Sequence, residues 1–232
     1  MQKCEVKMGN EFVEQYNENQ IKQFFKACEG HKYECYYKMI FAYRLSRLEL
    51  MNMKWSDIDF VKNTITIHHI SRNGVDDYHA YYTHLKRNEE FARTYPLLPH
   101  IKDLLINEQQ KQLQNSLSQM DYDYSNRDYL CVRENGKMMN ARTLSRNIKY
   151  ITRDHNLPEC LITGIKDSAN DYLFIRSENP NLFRCWTRFD FNIRRQNIYK
   201  DFNLLRNQKF QKLLNSMIDQ SSSSQRKEQS EM

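Results

Sequence analysis

The feature that most constrains the fold is one block of β-strand pattern set between long stretches of helical pattern. The run Thr64–Ile70 alternates β-branched with polar residues, as a half-buried strand does. Asn73 and Gly74 mark a turn, and two further strands are predicted at His79–Leu85 and Ala92–Pro96. These segments predict a small three-stranded antiparallel sheet, so we expect a mostly helical α+β domain.

Helical periodicity covers most of the remaining chain. Apolar residues recur at helical spacing in five segments before residue 155, and the chain from there to about Asp219 is also mostly helical in pattern. The five predicted helices are Asn19–Cys28, Tyr33–Tyr43, Arg47–Met53, His100–Met120 and Asn140–Asp154. We expect residues 1–17 to be a leader or linker, residues 18–219 to form one domain, and the low-complexity residues 220–232 to be a disordered tail.

Composition removes several classes of protein. With 5 Gly and 4 Pro in 232 residues, a turn-dense β-barrel is disfavoured. The sequence contains no apolar run long enough for a membrane-spanning helix, and its start lacks the apolar core of a signal peptide. The 6 cysteines are scattered without a CxxC pair. We therefore expect a cytoplasmic protein without a disulfide framework.

Charge and histidine placement say less. The net charge of +6 is compatible with a polyanionic partner but does not require one. His68 and His69 are neighbours on a predicted strand, where adjacent side chains point to opposite faces, so they are not expected to share a metal ion. We expect neither a metal nor an organic cofactor.

Four stretches, in a fixed order, carry a more specific signal. They are FAYRLSRLELMNMKWSDIDF (residues 41–60), LKRNEEFARTYPLLPHIKDLL (85–105), TGIKDS (163–168) and CWTRFDFNIRRQNIY (185–199). In order and spacing they resemble the catalytic domain of tyrosine recombinases, the phage and conjugative-transposon integrases. The resemblance spans about Glu18 to Asp219. It implies that family's largely helical fold and a function on double-stranded DNA.

The resemblance also implies a reaction. In the family, a tyrosine attacks the scissile phosphate, forming a 3′-phosphotyrosyl link and releasing a 5′-hydroxyl. Two arginines stabilise the charge that grows on the phosphate oxygens, because forked guanidinium donors match those oxygens. A hairpin lysine protonates the leaving oxygen, and histidines, or a histidine and a tryptophan, complete the set.

Three positions of this chain keep a usable group. Tyr199 falls at the position of the nucleophile, and Lys86 at that of the hairpin lysine, or Arg87 if the register slips by one residue. Lys166 replaces the second arginine, keeping its charge but not its planar two-pronged contact.

Three other family positions are substituted by residues that cannot do the same work. Ser46 stands for the first arginine, Thr163 for the first histidine of the TGIKDS stretch, and Phe189 for the last histidine or tryptophan, or Asp190 if shifted by one. Asp167 replaces the second histidine of the same stretch and brings a negative charge.

Two arginines flank the Ser46 position. Because a helix turns by about 100° per residue, neither Arg44 nor Arg47 is expected to replace the lost arginine.

Several basic residues are candidates for DNA contact. On the predicted helix Asn140–Asp154, basic side chains recur at three- and four-residue steps, which suits a row of phosphates but also describes an ordinary solvated face. The DNA-binding candidates are Arg47, Arg87, Arg142, Arg146, Arg194 and Arg195.

The sequence therefore predicts a tyrosine recombinase by descent, impaired in catalysis and lacking the N-terminal core-binding domain. A non-enzymatic DNA-binding regulator on the same fold is the alternative, and a protein–protein module is the third. The apolar C-terminal helix is expected either to dock onto another copy or an intact integrase, or to pack back on its own domain.

Overall fold

The structure is a computed structural model that describes residues 12–72, 85–176 and 208–219. Two 3₁₀ turns, Trp55–Asp57 and Tyr124–Asn126, accompany its helices and strands. In chain order the elements are β1 (Phe12–Val13), α1 (Glu18–Ala27), α2 (Glu34–Tyr43), α3 (Arg47–Met51), β2 (Ile58–Asp59), β3 (Thr64–Arg72), β4 (Leu85–Pro96), α4 (Pro99–Ser118), α5 (Ala141–Asp154), β5 (Glu159–Cys160), α6 (Ile162–Arg176) and α7 (Gln208–Ile218). Within these residues, no helix has the length and apolar character needed to cross a membrane.

All five predicted helices are present, with ends that shift by one or two residues. Local hydrogen bonds explain where two of them begin. Asn17 caps α1 by accepting a hydrogen bond from the Gln20 backbone N–H at 3.0 Å, and the Gln20 side chain accepts one from the Asn17 N–H. Asn140 caps α5 in the same way, through the N–H of Arg142.

A three-stranded antiparallel sheet in the order β2–β3–β4 confirms the predicted fold class. Its members differ from the prediction, because residues 85–96 form one long strand and the third strand is the two-residue β2. The polar start of β4 reads as a loop in the sequence, but ladder pairing with β3, such as Arg87 opposite Ile70, satisfies its backbone. Residues 79–84 of the predicted middle strand lie outside the described residues.

The core is built around α2, which is buried from Cys35 to Tyr43. Aromatic rings from α1 and α2 meet edge to face, for example Phe25 against Phe41 at 5.2 Å between ring centroids. The buried tyrosine hydroxyls have acceptors: Tyr37 donates to the Leu144 carbonyl of α5 at 2.9 Å. This central helix therefore fixes the positions of α5 and α6, which carry the candidate site.

The C-terminal helix packs back on its own domain, the second of the two alternatives left open by the sequence. Leu214, Met217 and Ile218 of α7 are buried, and the helix contacts α1, α2 and α4. Asn215 accepts a hydrogen bond from the His100 backbone N–H at 3.2 Å. The apolar face of α7 thus completes the core of this chain.

The segment before Glu18 also belongs to the folded body. Tyr16 is buried, its backbone N–H donates to the Ser168 hydroxyl at 2.8 Å, and its hydroxyl donates to the Pro158 carbonyl at 2.6 Å. The carbonyl oxygen of Glu14 passes so close to Gly164 that a Cβ there would lie 2.1 Å from it. A glycine is needed at this point of α6, against which residues 14–16 pack, and the predicted domain boundary at residue 18 stays a prediction.

Candidate functional site

Two segments of polar side chains meet where α2 ends and α6 begins. One is the turn between α2 and α3, residues 44–46, and the other is residues 163–168 at the start of α6, called the box below. Arg44 joins them: its Nη1 donates to the Lys166 carbonyl at 3.3 Å, and its Nη2 lies 3.5 Å from the Asp167 carboxylate. We call the turn and the box together the catalytic strip.

The backbone of Arg44 explains how its side chain reaches the box. Arg44 ends α2 in the left-handed conformation, with φ of 52° and ψ of 41°. A non-glycine residue costs roughly 1–2 kcal/mol in that conformation. The sequence-based expectation assumed that Arg44 is helical. The left-handed turn gives its side chain a different direction. The side chain of Arg44 therefore reaches the box, and the expectation that Arg44 does not replace the lost arginine stays a prediction.

Ser46 serves the backbone at the start of α3. Its hydroxyl accepts a hydrogen bond from the Glu49 N–H, and its own N–H and hydroxyl both donate to Glu49 Oε2 at 2.8 Å. This is the reciprocal capping arrangement typical of a Ser-x-x-Glu start. At the family position of the first arginine, this chain therefore presents a helix cap and no positive charge.

A buried ion pair lies beneath that cap. Arg93 of β4 donates through Nη2 to Glu49 Oε1 at 2.8 Å, with side chains 8% and 1% exposed. The pair ties the sheet to α3. Its positive charge is neutralised within the protein, because Glu49 lies directly against it.

The box carries one positive and one negative side chain. Lys166 is 20% exposed and its Nζ lies 3.9 Å from Asp167 Oδ1, while Asp167 is 40% exposed. Thr163 is exposed one turn earlier. Burial lowers the pKa of Arg44, and the nearby Asp167 carboxylate opposes that shift. Arg44 stays protonated in any case, because a guanidinium does not titrate in proteins.

The hairpin offers two candidates, and the structure describes only one side chain. Arg87 donates to the Asp57 carboxylate at 2.5 Å, and His68 lies 3.3 Å from the same oxygen. The guanidinium of Arg87 is thus held by the turn before β2. Lys86 pairs with Ser71 in the β3–β4 ladder, and its side chain lies outside what the structure describes.

The basic face of α5 lies beside the catalytic strip. Its apolar side, with Leu144 and Ile148, is buried, so the basic residues point outward. Arg47, exposed at the start of α3, reaches the Ser145 hydroxyl at 3.5 Å and connects the strip to this face. The basic face consists of Arg142, Arg146, Lys149 and Arg153.

Two members of the basic face are paired with acids. Lys149 lies 3.4 Å from Glu159, and Arg153 lies 3.0 Å from Asp154. These pairs are at the C-terminal half of α5. The exposed guanidinium groups of Arg142 and Arg146 project from its N-terminal half, on the side of Arg47.

A cavity of about 650 Å³ opens next to the N-terminal half of α5. Arg146 lines it together with Lys111 and Arg133, and Tyr36 donates to Glu108 on its wall at 2.9 Å. Burial raises the pKa of Glu108. No residue of the catalytic strip lines this cavity, so it is a separate feature.

Four sequence-predicted site residues lie outside the described part of the chain: Phe189, Arg194, Arg195 and Tyr199. The residues that the sequence argument missed are Arg44, Glu49, Arg93 and Asp57. Glu49 had a readable signal, because SRLE is a capping-box pattern. The other three depend on side chains meeting across elements distant in sequence.

Comparison with known proteins agrees with this architecture. Residues 14–163 match the model of the phage integrase family, which is more than half of the chain. A curated "Tyrosine recombinase XerC-like" protein of Caldanaerobacter subterraneus subsp. tengcongensis is 23% identical over 176 residues, covering 71% of this chain and 44% of the relative. The chain thus spans less than half the length of that relative.

Solved structures share the fold at low identity. The crystal structure of XerA recombinase gives a TM-score of 0.55 at 14% identity, covering 82% of this chain and 65% of that one. The Tn1549 transposon integrase in complex with a circular intermediate DNA gives 0.55 at 14% identity, covering 87% and 63%. With its sheet, its central helix and its family match considered together, this chain belongs to the phage integrase family and has the fold of a tyrosine recombinase catalytic domain.

Proposed function

We propose that this chain is a DNA-binding member of the tyrosine recombinases, by descent a site-specific recombinase or integrase, with strongly impaired strand cleavage. The observation that carries the proposal is Ser46. At the position three residues before Glu49, where the resemblance requires an arginine, the side chain is consumed in capping α3. One preorganised donor lost from such a site costs about 10²–10³ in rate.

The box adds further losses. Thr163 cannot exchange a proton near neutral pH, and Lys166 cannot make the two-pronged contact of an arginine. Asp167 places a negative charge 3.5 Å from Arg44, where it competes with any phosphate for that cation. Because these changes affect one reaction step, their effects on the rate of strand cleavage are not additive.

DNA binding is supported by a different set of residues. Arg47, Arg142 and Arg146 are exposed around the junction of α3 and α5. Exposed guanidinium groups contact phosphate oxygens without reading sequence, and such binding weakens as salt rises. The solved structure of the similar Tn1549 integrase contains DNA, which supports double-stranded DNA as the partner. We place this function in the cytoplasm, where DNA is accessible.

Among the catalytic candidates, we propose Tyr199 as the nucleophile of any residual reaction, Lys86 as its general acid and Lys166 as its remaining phosphate contact. The choice of Lys86 over Arg87 is supported by the hydrogen bond that holds Arg87 on Asp57. Arg87 is accordingly proposed to be a structural residue before it is a DNA contact. Arg194 and Arg195 stay proposed DNA contacts near Tyr199 in sequence.

The alternative function is a non-enzymatic regulator that occupies recombination sites. The observation that favours it is the Arg44–Asp167 pair. Because Asp167 offsets the charge of Arg44, the catalytic strip attracts a scissile phosphate less strongly. The regulator and the impaired enzyme share the DNA-binding face and differ only in the Tyr199-dependent step.

One experiment tests both parts. Plasmid DNA is incubated with the protein at low salt, the reaction is stopped with detergent, and covalent protein–DNA adduct is measured beside equilibrium binding to a short duplex at several salt concentrations. Tyr199→Phe is the control. We expect binding that weakens steeply with salt and no adduct above that control. A strong adduct that disappears in Tyr199→Phe would overturn the impairment, and absence of binding at low salt would overturn the DNA function.

A further inference from the structure

We propose that Arg44 and Lys166 form a binding site for a tetrahedral oxyanion, and that the Asp167 carboxylate closes this site by acting as an internal anion. The inference rests on the proposed function only in taking a DNA phosphate as the natural anion. The site itself is defined by three side chains and two contacts to one carboxylate oxygen.

Two cations converge on a single carboxylate oxygen. Arg44 Nη2 and Lys166 Nζ lie 3.5 and 3.9 Å from the same oxygen, Asp167 Oδ1. Two cations from different segments, one at the end of α2 and one on α6, thus share one monovalent anion. A sulfate or phosphate at that place would offer more acceptor oxygens to both cations than this one carboxylate oxygen does.

The guanidinium of Arg44 is incompletely paired within the described residues. The residue is 4% exposed, and its Nη1 and Nη2 account for its contacts to Lys166 and Asp167. Its buried Nε has no hydrogen-bond partner within the described residues. A charge-assisted bond to a carboxylate is normally about 2.7–2.9 Å long, so the 3.5 Å contact is loose. A buried guanidinium with a spare donor and a long ion pair is suited to a larger anion.

The exposure of Asp167 supplies the route of entry. Its side chain is 40% exposed, whereas that of Arg44 is 5% exposed, so the carboxylate contacts the buried cation and is itself accessible to solvent. Displacing or neutralising this carboxylate is therefore what uncovers the site. The same contacts are also compatible with a plain structural tether between α2 and α6, and the test below separates the two.

The test uses the full chain and inorganic sulfate as the probe. Thermal unfolding is followed while sulfate replaces chloride at constant ionic strength, in the parent protein and in Asp167→Asn. Asp128→Asn is the matched control, because it removes one carboxylate that pairs with Arg127 on an exposed surface. Arg44→Gly/Asp167→Asn removes the guanidinium and keeps a backbone that suits φ of 52°.

We expect Asp167→Asn to be stabilised at about tenfold lower sulfate concentration than the parent, since one adjacent negative charge is gone. Asp128→Asn should behave as the parent, and Arg44→Gly/Asp167→Asn should lose the sulfate dependence. Lys166→Met/Asp167→Asn provides a second way to weaken the site and should need several-fold more sulfate than Asp167→Asn alone. A sulfate response in Asp167→Asn that survives removal of Arg44, or no response at all, would overturn the proposal.

A DNA arm keeps this outcome distinct from that of the proposed function. Binding of a short duplex is measured for the parent, Asp167→Asn and Arg44→Gly/Asp167→Asn at fixed salt. Tighter DNA binding in Asp167→Asn that depends on Arg44 supports a phosphodiester as the occupant. If sulfate binds but no variant binds DNA, the anion site stands and the proposed DNA function fails.

Discussion

The catalytic strip and the basic face of α5 adjoin each other through Arg47 and Ser145, yet their positive charges differ in exposure to solvent. In the strip, Arg44 is almost fully buried and paired with Asp167. On the basic face, Arg142 and Arg146 are exposed to solvent. The number of cations near a site therefore does not by itself predict whether a polyanion binds there. Burial decides which of these cations a phosphate can reach.

Positions within the strip differ in the same way. Glu49 and Ser168 hold helices and the N-terminal segment in place through buried hydrogen bonds. Ser46 and Thr163, where chemistry would need a cation and a histidine, do not match the resembled family pattern. The fold needs only the first group of residues, so it persists without the second.

The largest expected effect concerns the buried pair beneath the strip. Glu49→Gln keeps the size of the side chain but leaves Arg93 buried without its counter-charge, so the free energy of unfolding should fall by about 3–5 kcal/mol. Urea unfolding measures it. The matched control is Asp154→Asn, whose partner Arg153 is 64% exposed, and which should cost less than about 1 kcal/mol. Equal losses in the two variants would contradict the distinction between buried and exposed pairs.

The next effect concerns catalysis in the strip. The combined variant Arg44→Gly, Ser46→Arg, Thr163→His and Lys166→Arg restores the two arginines and the first histidine that the resemblance requires, and leaves Asp167 and Phe189 unchanged. Covalent adduct should rise by at least ~100-fold over the parent, because a single preorganised donor is worth about 10²–10³ in rate.

The control for this variant adds Tyr199→Phe and should abolish the adduct. If the restored strip forms no more adduct than the parent while remaining folded, the substitutions in the strip are not what limits cleavage.

A smaller effect is expected on the basic face. Arg142→Ala/Arg146→Ala should weaken binding to any duplex, and reduce the slope of log affinity against log salt by about 2, since each phosphate contact contributes about 0.9. Binding is measured at several salt concentrations. Lys149→Ala/Arg153→Ala on the same helix is the comparison pair, and it should have less effect because these residues lie in the C-terminal half of α5, farther along the helix from the Arg47–Ser145 contact. Indistinguishable slopes for the two variants would mean that position along α5 does not select the DNA contacts.

The smallest expected effect concerns His100, a partly buried histidine outside both regions. Burial, and to a lesser extent Lys38, lowers the pKa of His100, against the opposing influence of Asp219, Glu34 and Asp103. The unfolded chain then binds a proton at His100 at higher pH than the folded protein does. Stability should therefore decrease as pH falls through about 6.5, the ordinary value for histidine, toward the lowered folded-state pKa.

His100→Gln should flatten this part of the profile in urea unfolding between about pH 7 and 5. The exposed His155→Gln is the control and should leave the profile unchanged. A His100→Gln profile as steep as that of the parent would show that other groups control stability in this range.

Local signals sufficed for most elements of the fold. Periodicity placed five helices, because helices depend on residues three and four apart. Strand pairing was harder. The polar start of β4 was not foreseen as strand, since its partner in β3 is more than a dozen residues away in sequence. The family resemblance assigns Ser46, Thr163 and Lys166 to catalytic positions, and these assignments stay predictions.

By itself, the sequence determined the helices, the α+β class and the family, because these follow from short-range patterns and from motifs in a fixed order. Only the tertiary structure decided the state of the charges. The left-handed turn at Arg44 carries a guanidinium into the box, and Asp57 holds Arg87. Such contacts join residues that are 30 and more than 120 positions apart, and their energy depends on burial, which no local pattern of residues records.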